Sequence, residues 1–126
     1  MRIARQRLVD GEPLSLEIIH VLDELVPSLD LGAIETGSFY ALLREQYGVL
    51  PTDAEQVHEA AAADATEAGL LGLTEGAPIL VLERVTRDQH GRLFEYTRAA
   101  YRGDRYRVTS HLSLTEQNQT ETIPDP

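Results

Sequence analysis

Arg5 and Arg7 stand two residues apart in Arg2–Leu8, a stretch that reads as a strand. Strand side chains alternate between faces, so Ile3, Arg5 and Arg7 share one side. Two guanidinium groups on one face present planar forks suited to a carboxylate or a phosphate. A second stretch, Leu93–Tyr101, puts Leu93, Glu95, Thr97, Ala99 and Tyr101 on one face, with Phe94, Tyr96 and Arg98 pointing the other way. A face bearing carboxylate, hydroxyl and phenol could hold a small polar ligand. Periodicity alone favours the plainer alternative, a solvated sheet face. Ser38 opens a stretch in which Phe39, Leu42, Leu43 and Tyr47 recur at helical spacing. Ser38 or Thr36 serves as N-cap, and Gly48 suits the position after the helix. A capping hydroxyl lies beside free backbone N–H groups, where anions bind. Capping alone is the commoner use of such a serine. Arg5 and Arg7 can equally pair with Glu17 or Glu95 across strands. Two arginines on one face beside a capping serine favour the anion site.

The elements that must carry these groups are short. Arg2–Leu8 and Leu14–Val21 form a hairpin around Asp10-Gly11-Glu12-Pro13. On its second strand Glu17 faces the same side as Ser15, Ile19 and Val21. A strand beginning at residue 2 suggests that the chain starts inside a domain. Asp23–Gly32 contains Pro27 and reads as an irregular connection. Asp64-Ala65-Thr66-Glu67 is a capping box, which predicts a helix over Ala65–Leu71 ended by Gly72. Glu55–Ala62 reads as extended in spite of its alanines. Ile79–Leu82 is an apolar run opened by Gly76 and Pro78, which predicts a buried strand. Asp88-Gln89-His90-Gly91 is the turn into Leu93–Tyr101. Asp104 marks a further turn, and Tyr106–Leu114 is expected as the last strand. Thr115–Pro126 is polar with two prolines and is expected to be a disordered tail behind a domain of residues 1–114.

The two hairpins echo each other. Arg5…Asp10-Gly11…Glu17 and Arg84…Gly91…Glu95 both run strand, turn, strand, with a glutamate early in the second strand. As repeats, the first copy lacks the helix and leading strand that precede the second. A chance match of short hairpins is the other reading.

Composition narrows the functions. At 126 residues the chain makes one domain, burying roughly two-thirds of its unfolded surface. The formal net charge is -10, the opposite of what neutralising a phosphate backbone needs, so direct nucleic-acid binding is not expected. All 11 basic residues are arginine. Arg44 stands alone; the other ten gather at Arg2–Arg7 and between Arg84 and Arg107, so positive charge is concentrated in the expected strands. Cysteine is absent, which excludes disulfides, thiolate metal sites and cysteine nucleophiles. His20, His58, His90 and His111 are scattered, without metal-ligand spacing, and no metal or cofactor is expected. No apolar run approaches the ~20 residues of a membrane helix, and no signal peptide opens the chain. A soluble cytoplasmic protein with no membrane partner is the expectation.

Three pieces carry a resemblance. They are Arg5-x-Arg7 with Asp10-Gly11-x-Pro13-x-x-x-Glu17, then Ser38-x-Tyr40 opening a helix, then Leu71-x-Leu73-x-x-Gly76-x-Pro78 running on to Arg84, Gly91, Glu95 and Tyr101-Arg102-Gly103-Asp104-Arg105-Tyr106. Together they resemble the UTRA (UbiC transcription regulator-associated) domain, the effector-binding half of GntR-type regulators of the HutC subfamily, over about residues 2–110. The closing Tyr-Arg-Gly-Asp-Arg-Tyr is the most specific piece. The resemblance implies an α+β, chorismate-lyase-like fold: an antiparallel sheet flanked by short helices, here incomplete at the N-terminus. It implies a small anionic metabolite as ligand, such as a phosphosugar, a carboxylate or an amino-acid derivative. It implies a homodimer, and a winged helix-turn-helix that lies outside this sequence and binds DNA. By position, Arg5 and Arg7 match the family's anion-binding arginines. Glu17, Ser38 and Tyr40 match polar pocket residues, and Glu95 and Tyr101 match ligand-contacting residues of the late hairpin. Thr97 is added because it shares their face. The family's leading segment is missing, so the pocket is expected to be incomplete. Two rivals follow: a dimerisation fragment with an idle pocket, and, by fold analogy alone, a chorismate-lyase-like enzyme. No nucleophile–base pair supports the enzyme.

Overall fold

The computed structural model describes residues 1–29, 32 and 38–114. Five strands form one antiparallel sheet: β1 (Arg2–Val9), β2 (Glu12–Val21), β3 (Asp53–Ala62), β4 (Pro78–Arg87) and β5 (Leu93–Arg102), in the order β1-β2-β5-β4-β3. Among the described residues two helices complete it, α1 (Phe39–Tyr47) and α2 (Ala65–Leu71), with a 3₁₀ turn at Asp23–Leu25. The expected α+β class and antiparallel sheet are what the chain adopts.

Local chemistry sets the element ends. Asp10 (φ 52°) and Gly11 (φ 79°) make the two-residue turn of β1–β2, a geometry that needs positive φ at both positions. Ser38 caps α1 by accepting the Ala41 N–H at 3.3 Å. Thr36, the alternative cap, lies outside the described residues, as does the tail from Thr115 onward. Asp64 and Glu67 exchange capping-box hydrogen bonds of 2.7 and 3.0 Å at the start of α2.

The helices cover opposite sheet faces. Phe39, Leu42 and Leu43 of α1 pack on Ile3, Ile19, Val21 and Phe94. Ala68 and Leu71 of α2 pack on Ile79, Val81 and Ala100. Neither helix shelters β3, where every side chain is exposed except that of the half-buried His58. Among the described residues no membrane-length apolar helix is present.

Two expectations are corrected. Phe94 does not point away from the Glu95 side; it is buried in the α1 cluster, while Leu93 is exposed. The β4–β5 register shifts there: Thr86 faces Glu95 but Arg87 faces Leu93, so Phe94 is the extra residue of a bulge. Tyr106–Leu114 is not a strand. Both edges of β5 are already taken, by β2 and β4, so no place remains beside it. Instead Tyr106 folds back and stacks on Tyr101 with ring centroids 3.8 Å apart.

Candidate functional site

The sheet face under α1 is not solvated. Glu95 and Thr97 are each 2% exposed, Glu17 7% and Tyr101 9%. The plainer alternative offered by periodicity therefore fails, because α1 and the chain around it roof this face.

Carboxylates buried there need partners. Glu17 receives the Arg5 fork, with Nε at 3.0 Å and Nη2 at 2.6 Å from the same oxygen. Its second oxygen lies 3.6 Å from Nε of Arg7, beyond a hydrogen bond. Arg7 is thus the least committed guanidinium, and it is 56% exposed. Glu95 accepts from Arg84 Nε and from the Thr86 hydroxyl, each at 3.2 Å. Arg84 also lies over the Tyr40 ring, 5.6 Å from its centroid.

These groups surround one cavity of about 380 Å³. Arg5, Arg7 and Glu17 form one wall, and Arg84, Glu95 and Tyr101 another. Ser38, Phe39 and Tyr40, at the start of α1, close the third side. Seven of the eight residues singled out in the sequence meet here. Thr97 does not line the cavity; it shares the face, and its buried hydroxyl has no hydrogen-bond partner among the described residues. Arg84 was missed as a site residue, and Thr86 as the buried hydroxyl that donates to Glu95. The echo between Arg5 and Arg84 was the signal that could have found the first.

Burial raises the Tyr40 phenol above its ordinary value; a hydrogen bond with Thr86 opposes this, and Glu95 adds to it. Tyr101 is pushed up to about 12, first by burial, then by the negative charge of Glu17 and by Tyr106. Burial works against the charge of Arg84, but Glu95 outweighs it and the guanidinium is raised. Both phenols therefore stay protonated at neutral pH and can donate. Three guanidiniums face two carboxylates, so the cavity keeps a positive excess for an anion and two acceptors for hydroxyl or amino groups.

A larger hollow of about 560 Å³ opens on the opposite face, beside α2. Its Arg98 is engaged by Glu67 at 3.4 Å, and Gln6 is spent on the Leu70 carbonyl at 2.6 Å. No orphan buried polar group points into it among the described residues, so the smaller cavity is the stronger site.

The family model described as the UTRA domain matches residues 1–107. The chain belongs to the UTRA domain family. The transcriptional repressor NagR of Bacillus subtilis is 34% identical over 112 residues, which are 88% of this chain and 45% of that protein. The crystal structure of PhnF from Mycobacterium smegmatis superposes with a TM-score of 0.78 at 31% identity, covering 90% of this chain and 50% of that one. The ligand-binding domain of a Bordetella bronchiseptica protein, assigned to the GntR-family transcriptional regulators, gives a TM-score of 0.79 at 25% identity, covering 89% of this chain and 72% of that one. This UTRA domain spans under half the length of the curated relatives it matches. Those relatives are named as transcriptional repressors and regulators, not as enzymes.

Proposed function

We propose that this UTRA domain is the effector-sensing module of a GntR-type regulator of the HutC subfamily. It binds a small anionic metabolite in the Arg7–Arg84 cavity. Occupancy there controls DNA binding by a winged helix-turn-helix outside this sequence, in a cytoplasmic homodimer. The observation that carries this reading is the meeting of three guanidiniums, two buried carboxylates and two protonated phenols around one 380 Å³ space. A phosphate or carboxylate takes the Arg7 side and the N-terminus of α1. Hydroxyl or amino groups of the same molecule donate to Glu17 and Glu95. A phosphosugar, a hydroxylated carboxylate and an amino-acid derivative all meet that demand.

Calorimetric titration with inorganic phosphate and a panel of sugar phosphates and hydroxy acids tests the proposal. Saturable binding of at least one anion, weakened at least about tenfold in Arg7→Ala, is expected. Binding that survives Arg7→Ala unchanged, or no binding by any member of the panel, would overturn it.

A further inference from the structure

The start of α1 closes one side of the cavity, and the opposite end of the same helix is tied to the sheet by one side chain. Gln89, in the β4–β5 turn, accepts the Leu50 N–H at 3.0 Å and donates to the Gly48 carbonyl at 2.8 Å. Both partners are main-chain groups, at the point where α1 ends. An amide that accepts and donates at once fixes direction as well as distance. Gln89 itself does not line the cavity.

The other contacts of α1 do not fix where along the sheet it rests. Phe39, Leu42 and Leu43 meet Ile3, Ile19, Val21 and Phe94 through apolar surface. Such attraction is non-directional and holds the helix down without choosing its position. The Ser38 cap bonds within the helix. Tyr40 does reach the sheet, with its ring under the Arg84 guanidinium and its phenol beside Thr86 and Glu95. A ligand that takes Arg84 or Glu95 competes with those contacts. The Gln89 clamp lies outside the cavity and keeps its hold when the cavity is filled.

The turn that presents Gln89 is itself locked. Asp88 accepts the His90 and Arg92 N–H groups at 2.9 Å each, and the Gly91 N–H closes on the Asp88 carbonyl at 3.0 Å. The same hairpin carries Arg84 and Glu95 to the cavity. α1 is nine residues, a rod roughly 13 Å long. Fixing its far end to that hairpin fixes where Ser38 and Tyr40 stand against Arg84 and Glu95.

We propose that Gln89 is a positioning residue of the effector site: its clamp on Gly48 and Leu50 sets the gap between the start of α1 and the Arg84–Glu95 wall. This rests on the effector-sensing reading above and adds to it a residue that acts without touching the ligand.

Calorimetry with sugar phosphates and an NMR titration of the Tyr40 phenol test the clamp, on the full chain with circular dichroism to confirm folding. Gln89→Ala is expected to weaken the tightest-binding sugar phosphate about tenfold. Without ligand, a released α1 uncovers Tyr40 and draws it away from Glu95, so its raised phenol is expected to fall towards 10.0. Gln89→Glu keeps the reach and the acceptor but not the donor, and is expected to lie between. Arg87→Ala removes a 3.1 Å bond to the Gly91 carbonyl in the same turn, away from α1, and is expected to change neither quantity. Wild-type affinity in Gln89→Ala, an unmoved Tyr40 titration, or an equal change in Arg87→Ala would overturn the clamp. If no sugar phosphate binds the wild type, the sensor reading alone falls, and the Tyr40 titration still decides whether Gln89 positions α1.

Discussion

Glu17 and Glu95 are related by an internal two-fold. Ile19 of β2 faces Thr97 of β5, Glu17 lies two residues before one, and Glu95 two residues before the other. Each takes an arginine from its own hairpin, Arg5 or Arg84. The two hairpins are alike in contact but not in register, since Arg5 stands directly opposite Glu17 whereas Arg84 stands opposite Thr97, and both deliver their carboxylate to the same cavity. The two halves are not equally protected. The Glu95 side chain is 1% exposed with one arginine, whereas Glu17 is 9% exposed and has Arg7 in reserve. Removing one partner of a buried pair leaves an uncompensated charge. Arg84→Ala is therefore expected to cost about 3 kcal/mol, and Arg5→Ala only about 1 kcal/mol. Urea denaturation of both variants checks this, and equal losses would refute the asymmetry.

Arg7 separates binding from stability. It is more than half exposed and 3.6 Å from its carboxylate, so its contribution to folding is within about 0.5 kcal/mol. A charge-assisted hydrogen bond to an anion is worth about 1.5–3 kcal/mol. Arg7→Ala is expected to weaken the effector by roughly 10- to 100-fold with an unchanged Tm. Calorimetry and thermal unfolding on one preparation read both quantities.

Which features could be read from residues alone follows from what each depends on. The Ser38 cap, the Asp64–Glu67 box and the Asp10-Gly11 turn depend on neighbours within a few residues, and all three were legible. Arg5, Arg7, Glu17, Glu95 and Tyr101 were legible because alternation fixes which way they point, and Ser38 because it opens a helix; Tyr40 came from the resemblance alone. The burial of their face was not legible, because period two does not say which face a helix will roof. Phe94 was placed on the wrong side because a bulge is a property of two strands together. Tyr106–Leu114 has the composition of a strand, yet β2 and β4 already occupy both sides of β5, and only topology reveals that.

Gly103 is held by close approach. A Cβ built on it would lie 2.7 Å from the Pro78 carbonyl oxygen, to which its N–H donates at 3.1 Å. Neither backbone can retreat without disturbing the start of β4 or the turn that brings Tyr106 onto Tyr101. Gly103→Ala is expected to cost about 1–3 kcal/mol. It should also loosen the Tyr101–Tyr106 stack, read as a change in near-ultraviolet circular dichroism.

Tyr101 makes the fold sensitive to alkali. Its phenol rises from 10.0 to about 12, mainly through burial and then through Glu17. Above pH 10 the unfolded chain releases this proton while the folded one keeps it. Its contribution is therefore complete below pH 10 and disappears as pH rises towards about 12. Tyr101→Phe removes the ionisation, so its stability should fall less steeply than wild type over that window. Parallel slopes would show that Tyr101 titrates normally.

Asp88 makes it sensitive to acid, with the opposite sign. Burial alone would raise its carboxyl, but the backbone N–H groups of Arg92 and His90 and the Arg92 guanidinium together lower it below 3.8. One oxygen accepts both N–H groups at 2.9 Å, and the other accepts Arg92 Nε at 2.8 Å. These bonds tie the β4–β5 turn, which sets the register that brings Glu95 under Arg84. The stabilisation is complete above pH 3.8 and is lost as pH falls through the lower folded value. Asp88→Asn keeps an acceptor for the N–H groups but has no charge to lose. Its stability at neutral pH should be lower than wild type, and the gap should close as both are acidified. A gap that stays constant from neutral pH into acid would mean that the turn is held by shape and not by the carboxylate charge.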